Sequence, residues 1–124
     1  MLDCYCDSGF EFSACCGKFI DNREIPSTPE ELMRSRYSAY KVKNIDYLVA
    51  TTHPDYRKYY SRKSISNWAN SVEFMKLTIH ESIENHVKFS AFFKDERGNL
   101  QEHREDSLFK FEDGNWYYLE GEDF

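Results

Sequence analysis

The hydrophobic rhythm of the chain changes once. Up to about residue 71 apolar positions recur at helical spacing, and from Val72 to the end they recur at every second residue. In the first regime Thr28 is placed to cap a helix, Pro29 to occupy its first position and Glu31 to complete a capping box. A helix over 29–41 puts Met33, Tyr37 and Tyr40 on one face, flanked by Leu32 and Arg36. Asn44 opens a second helix from Ile45 to about Thr52, with Leu48 and Val49 inward, and Pro54 prevents its continuation. A third piece near 64–70 gathers Ile65, Trp68 and Ala69.

In the second regime Glu73, Met75, Leu77, Ile79, Glu81 and Ile83 alternate with Phe74, Lys76, Thr78, His80 and Ser82, and the first set is the one expected to be buried. Val87, Phe89, Ala91 and Phe93 define the inner face of the next strand. Asp95–Asn99 is expected to form a hairpin loop, and Asp113-Gly114-Asn115 a tight turn. They bound a strand over about 101–112, and Trp116–Glu120 supplies the last one. Four consecutive strands joined by short turns predict an antiparallel meander with the helices packed on it, an α+β architecture.

Composition narrows the choice of partners. The 124 residues carry 16 Lys and Arg against 22 Asp and Glu, a formal charge of −6, which disfavours nucleic acid and a polybasic membrane anchor. A hydrophobic share of 40% with 31% charged residues is that of a folded chain. The opening Met1-Leu2-Asp3-Cys4 has neither the basic start nor the apolar run of a secretory signal, so a cytoplasmic location is expected.

All four cysteines fall in the first sixteen residues, as Cys4-x-Cys6 and, eight residues on, Cys15-Cys16. Four thiolates are the complement of a tetrahedral structural zinc site, and their softness favours Zn²⁺ over calcium or magnesium. Ser8-Gly9 is suited to the chain reversal between the pairs, and Phe10 or Phe12 to packing on the site. A sixteen-residue unit buries little by itself, so metal would substitute for a core. On residue type alone, disulfides, a redox pair and an iron–sulfur cluster stay open. Adjacent cysteines suit mutual bonding poorly, and the C-x-x-C of redox sites is absent.

The string Cys4-x-Cys6-x-Ser8-Gly9, with Phe10, Phe12 and Cys15-Cys16-Gly17, resembles the SEC-C zinc motif known from the tail of the bacterial secretion ATPase. Leu32-Met33-Arg34-Ser35-Arg36-Tyr37 through Tyr40, Ile45–Thr51 and His53-Pro54 resemble the YchJ family of bacterial proteins. So do Val72-Glu73-Phe74, His103-Arg104-Glu105, Ser107, Phe109 and Asp113–Tyr118. The resemblance implies a zinc knuckle over 1–20 joined to a nuclear-transport-factor-2-like cone over 28–124. In the secretion ATPase the similar motif contacts a chaperone and the ribosome, so a non-enzymatic adaptor docking a protein partner is the function it suggests. Two positions depart from the motif: Tyr5 stands where proline is usual and Asp7 where glycine is usual. A second cysteine motif, carried by some relatives at the C-terminus, is missing.

The strand over 101–112 carries a second candidate. His103, Glu105 and Ser107 share a face with Phe109 and Phe111, and Arg36, Tyr37 and Tyr40 approach from the helix. Together with Trp116 they would line a pocket in which a His–Glu pair does acid–base work or Arg36 holds an anionic small-molecule ligand. The competing expectation is structural, an Arg36–Glu105 ion pair inside the cone and a solvated strand end. His53, His80 and His86 have no visible partners in the sequence.

Overall fold

The computed structural model describes residues 2–124. A 3-10 turn (Phe12–Ala14) and the short helix α1 (Cys16–Ile20) follow the first cysteine pair. Then come α2 (Pro29–Val42), α3 (Ile45–Ala50), a 3-10 segment (Pro54–Tyr59) and α4 (Arg62–Ser71). Strands β1 (Glu73–Ile83), β2 (His86–Lys94), β3 (Leu100–Glu112) and β4 (Asn115–Asp123) form one antiparallel sheet in the order β1-β2-β3-β4. No helix among the described residues is long and apolar enough to cross a membrane.

Helix α2 is the hub. The Thr28 hydroxyl caps it by accepting from the Glu31 N–H at 3.1 Å. The returning Glu31 carboxylate accepts from the Ser27 N–H at 2.8 Å, one residue before the position that the capping box predicts. Lys43 ends the helix in a left-handed conformation, φ 60°. The expected face of Met33 and Tyr37 is buried, but so are Leu32, Ser35, Arg36, Ser38 and Ala39, because α2 is covered from several sides. The sheet takes Met33 and Tyr37, α3 takes Ser35 through a 2.6 Å hydrogen bond to the Tyr47 hydroxyl, and the cysteine unit takes Ser38.

The end of α3 is stitched to β4. Thr51 O accepts from Tyr118 N–H at 2.8 Å, and Tyr118 O accepts from His53 N–H at 2.9 Å, forming a short parallel bridge. Phe109, Val87, Leu32 and Leu48 are completely buried between the helices and the sheet. Each such side chain contributes roughly 1.5–3 kcal/mol by leaving water.

Several expectations from periodicity are corrected. The β1–β2 register shifts between Phe74 and Lys76, so Phe74 and Leu77 are the buried pair while Met75 and Ile83 face solvent. Phe111, expected inward beside Phe109, is 57% exposed, because the β3–β4 register shifts between Leu108 and Phe109 and the strand end runs past the core. The three other histidines all have partners: His53 Nε2 meets Glu112 at 2.9 Å, His80 meets Ser90 at 2.7 Å and His86 meets Asp106 at 3.3 Å.

Candidate metal centre and cone cavity

The cysteine unit closes through Asp3 and Glu11, which form an isolated bridge, and a Cys4 N–H bond to Phe10 O at 2.8 Å. Gly9, at φ 86°, makes the reversal at the tip. All four thiols are free, and their sulfurs lie within 4.8 Å of one another. Cys6 and Cys15 Sγ are 3.7 Å apart. A tetrahedral site with metal–sulfur bonds of about 2.3 Å requires sulfurs roughly 3.8 Å apart, so the donor set fits a thiophilic metal ion. Cys4, Cys6 and Cys16 are buried, and Cys15 is half-buried.

Around the four sulfurs sit hydroxyls and one cation. Ser8 Oγ lies 3.2 Å from Cys15 Sγ, and Ser38 Oγ lies 3.7 Å from Cys4 Sγ. Arg34 donates from Nη1 to Cys6 O at 2.7 Å and from Nε to Glu30 at 3.0 Å. Such partners orient thiolates and offset the negative charge of a four-thiolate site. The sulfurs share protons unequally: hydrogen bonding from Cys16 draws the Cys4 thiol far below the usual range, and the same contact pushes Cys16 up. Burial raises Cys15.

This unit is not hung on a free connector. Cys4, Cys6, Cys16, Phe19 and Ile20 belong to the same apolar cluster as the core of the sheet domain. Asp7, the departure from the motif, adopts φ 61°, the left-handed region that glycine tolerates best. Its carboxylate compensates by accepting from the Leu77 N–H of edge strand β1 at 2.9 Å, clamping the unit to the sheet. Phe12 packs edge-on to Tyr5, ring centres 5.3 Å apart, and sits over Gly17, where a Cβ would lie 2.7 Å from the Phe12 carbonyl oxygen. Phe10 points away, 68% exposed.

On the other side of α2, Arg36, Tyr37, Tyr40, His103 and Glu105 come together around a cavity of about 170 Å³, closed further by Tyr60, Trp68, Phe74, Phe89 and Tyr118. Trp116 does not reach it: its ring packs on Phe111 and its indole N–H donates to Ser27 O at 3.2 Å. Arg36 forms no ion pair with Glu105 among the described residues. Its Nη1 donates to Leu48 O (3.0 Å), Thr51 Oγ1 (2.7 Å) and Thr52 Oγ1 (3.3 Å), and its guanidinium stacks 4.4 Å over the Tyr118 ring. Glu105 instead gathers His103 Nε2 at 2.9 Å, the Tyr118 hydroxyl at 3.0 Å and the Ser107 hydroxyl.

Burial opposes the charge on Glu105, yet the hydrogen bonds from His103 and Ser107 outweigh it and hold the carboxyl below its usual range. Reciprocally, the Glu105 hydrogen bond raises His103 against the opposing effect of burial. Burial, reinforced by the Glu105 charge, pushes the Tyr118 hydroxyl far up, so it stays a donor. Gly121 makes room for this network, since a Cβ there would collide with the Glu105 side chain. Tyr60, Trp68 and Tyr118 line the cavity in addition to the residues that face-sharing predicts there. The i, i+3 placement of Ile65 and Trp68 on a helix was the available signal for Trp68.

Comparison with known proteins agrees with this architecture. Residues 28–121 match the family described as YchJ, middle NTF2-like domain. A UPF0225 protein of Serratia proteamaculans is 42% identical over 125 aligned residues, covering 95% of this chain and 81% of that one. The solution structure of a SEC-C motif containing protein from Rhodopseudomonas palustris superposes with a TM-score of 0.93 at 36% identity, covering 99% of both chains. The crystal structure of a SEC-C motif containing protein from Psychrobacter arcticus gives 0.77 at 27% identity over 94% of this chain and 80% of that one. With its four-cysteine centre ahead of a matching middle domain, the chain belongs to the YchJ-like UPF0225 family.

Proposed function

We propose that the four thiolates hold Zn²⁺ and that the protein is a non-enzymatic adaptor whose zinc knuckle docks a protein partner. The observation that carries the metal half is the all-sulfur donor set drawn within 4.8 Å. Four protein ligands fill a tetrahedron and leave no position for a reacting water, so the ion is structural. For the docking half, the inner surface of the knuckle is occupied by α2 and β1, so the free surface is the outer one. There Phe10 is 68% exposed and borders a groove with Ser8, Ala14, Lys18 and Glu31. Four thiolates and one Zn²⁺ add a local charge of about −2 to an already acidic chain, which suits a basic or polar protein better than a nucleic acid.

Metal analysis of the purified chain is expected to return one zinc per molecule, lost in Cys15→Ser; a folded, metal-free native protein refutes zinc binding. Cross-linking followed by affinity capture then compares the native chain with Phe10→Ser, which leaves every ligand in place. At least tenfold lower recovery of a shared partner with zinc content unchanged is the expected outcome, and equal recovery refutes docking through this surface.

A further inference from the structure

The cone cavity contains a charge that the fold leaves unanswered. Arg36 is only 5% exposed, and all its hydrogen bonds leave from Nη1. Among the described residues Nε and Nη2 have no partner. Every fully buried side-chain nitrogen or oxygen among those residues does have one, so these two nitrogens reach accessible space, and the space Arg36 lines is the cavity. A guanidinium removed from water without a counter-charge is costly, and its planar edge matches a carboxylate bidentately.

The nearby acid does not serve as that counter-charge. Both oxygens of Glu105 are taken by His103, Ser107 and Tyr118. With His103 raised by the contact, the His–Glu pair carries little net charge while His103 holds its proton, and Arg36 remains the unbalanced group. The walls are mostly aromatic, from Tyr37, Tyr40, Trp68, Phe74 and Phe89, and Trp68, 37% exposed, stands at the rim. The volume of about 170 Å³ is close to that of a protein cavity of about 150 Å³ that accommodates benzene.

We propose that the cone cavity binds a small carboxylate with a single-ring body, its carboxylate paired with the free Nε–Nη2 edge of Arg36 and its ring held among the aromatic walls. This site is independent of the cysteine centre and of any docking through it. An organic cation would suit the aromatic walls, but Glu105 offers it little: Oε2 already accepts from Ser107 and Tyr118, and Oε1 from His103, which leaves one lone pair.

The test is a titration of the ¹⁵N-labelled, metal-loaded full chain with three probes of one shape: benzoate, neutral benzamide and benzylammonium. Benzoate is expected to shift the Trp68 indole and Arg36 Nε signals saturably, at least tenfold more tightly than benzamide. Equal binding of benzamide, tighter binding of benzylammonium, or no saturable shift with any probe overturns the proposal. Arg36→Lys keeps the charge but loses the planar fork, and is expected to weaken benzoate at least fivefold. Because Arg36 also anchors the end of α3, a second variant leaves it untouched. Ala91→Met extends a cavity wall into the space and is expected to abolish benzoate shifts in a chain of native spectrum; unchanged benzoate affinity in Ala91→Met overturns the proposal.

Discussion

The cysteine centre and the cone cavity lie on two sides of one helix, α2, and are built on opposite principles. Toward the cysteines α2 sends Arg34 and Ser38, and both tie the unit to the helix: Arg34 donates to Cys6 O and Glu30, and Ser38 lies against Cys4. Toward the sheet it sends Met33, Arg36, Tyr37 and Tyr40, and there the packing stops short, leaving about 170 Å³ and part of a guanidinium uncommitted. One site spends its residues on closure and the other leaves them available. The cysteine centre therefore belongs to the stability of the fold as much as to any partner, whereas the cavity presents open space beside a guanidinium with two donors left over.

The largest effect should come from opening the closed site. Cys16 is 1% exposed and opens α1 against α2. Cys16→Ser removes a ligand and is expected to cost at least about 4 kcal/mol in urea unfolding, since binding at structural zinc centres is worth on the order of 10 kcal/mol. A strong chelator should destabilise the native chain similarly and leave Cys16→Ser unaffected. A loss under about 1 kcal/mol for both would make the cysteine unit a detachable appendage, and the contrast between the sites would fail on that side.

Legibility from sequence divides along a different line. Helix α2, its Thr28 cap, the turn at Asp113-Gly114 and the four metal-ligand candidates are local signals, written in a few neighbouring residues each. The strand faces were harder, because a bulge slips the alternation by one residue and no residue at Met75 announces it. Phe111 looks identical in pattern to a core aromatic; only the register of β3 against β4 carries it past the core, onto the outer side of Trp116, which itself packs on the core's edge. The positions on α2 and β3 that line the cavity share faces in the sequence pattern, while the contribution of Tyr60 depends on how the 3-10 segment returns the chain. Nor did the polar connector reveal that the cysteine unit is fused to the core, because the clamp from Asp7 to Leu77 spans seventy residues.

That clamp provides an intermediate test of how firmly the closed site is joined to the sheet. Asp7 combines a left-handed backbone with an acceptor for Leu77 N–H. Asp7→Ala loses the hydrogen bond and worsens the backbone strain, for an expected cost of about 2 kcal/mol. Asp7→Gly loses the same bond but relaxes the backbone, so its cost should be about half as large. Thermal or urea unfolding separates the two variants. If glycine is the more damaging of the pair, backbone strain at Asp7 is not what the carboxylate offsets.

The smallest effect belongs to the cavity and is read through pH. Glu105 is held below its ordinary range, so its contribution is complete above the unfolded carboxyl value of 4.5 and fades as pH falls through the lowered folded value. His103 is raised, so its contribution is complete below its unfolded value of 6.5 and fades as pH climbs through the raised folded value. The two overlap most fully between about pH 4.5 and 6.5, and stability from this pair should decline on either side. His103→Gln retains a donor for Glu105 but cannot gain a charge. It should remove the decline above pH 6.5 while leaving the acid limb, which Ser107 and Tyr118 still support. The His103 side chain is 38% exposed and the pair is partly screened, so the change should amount to a fraction of the Asp7→Ala effect. With benzoate present, the same protonated pair leaves Arg36 as the unbalanced charge, so benzoate affinity should weaken across the same rise in pH in the native chain. An unaltered alkaline limb in His103→Gln would show that the Glu105 contact does not hold the proton on His103, and the expected pH dependence of benzoate affinity would fall with it.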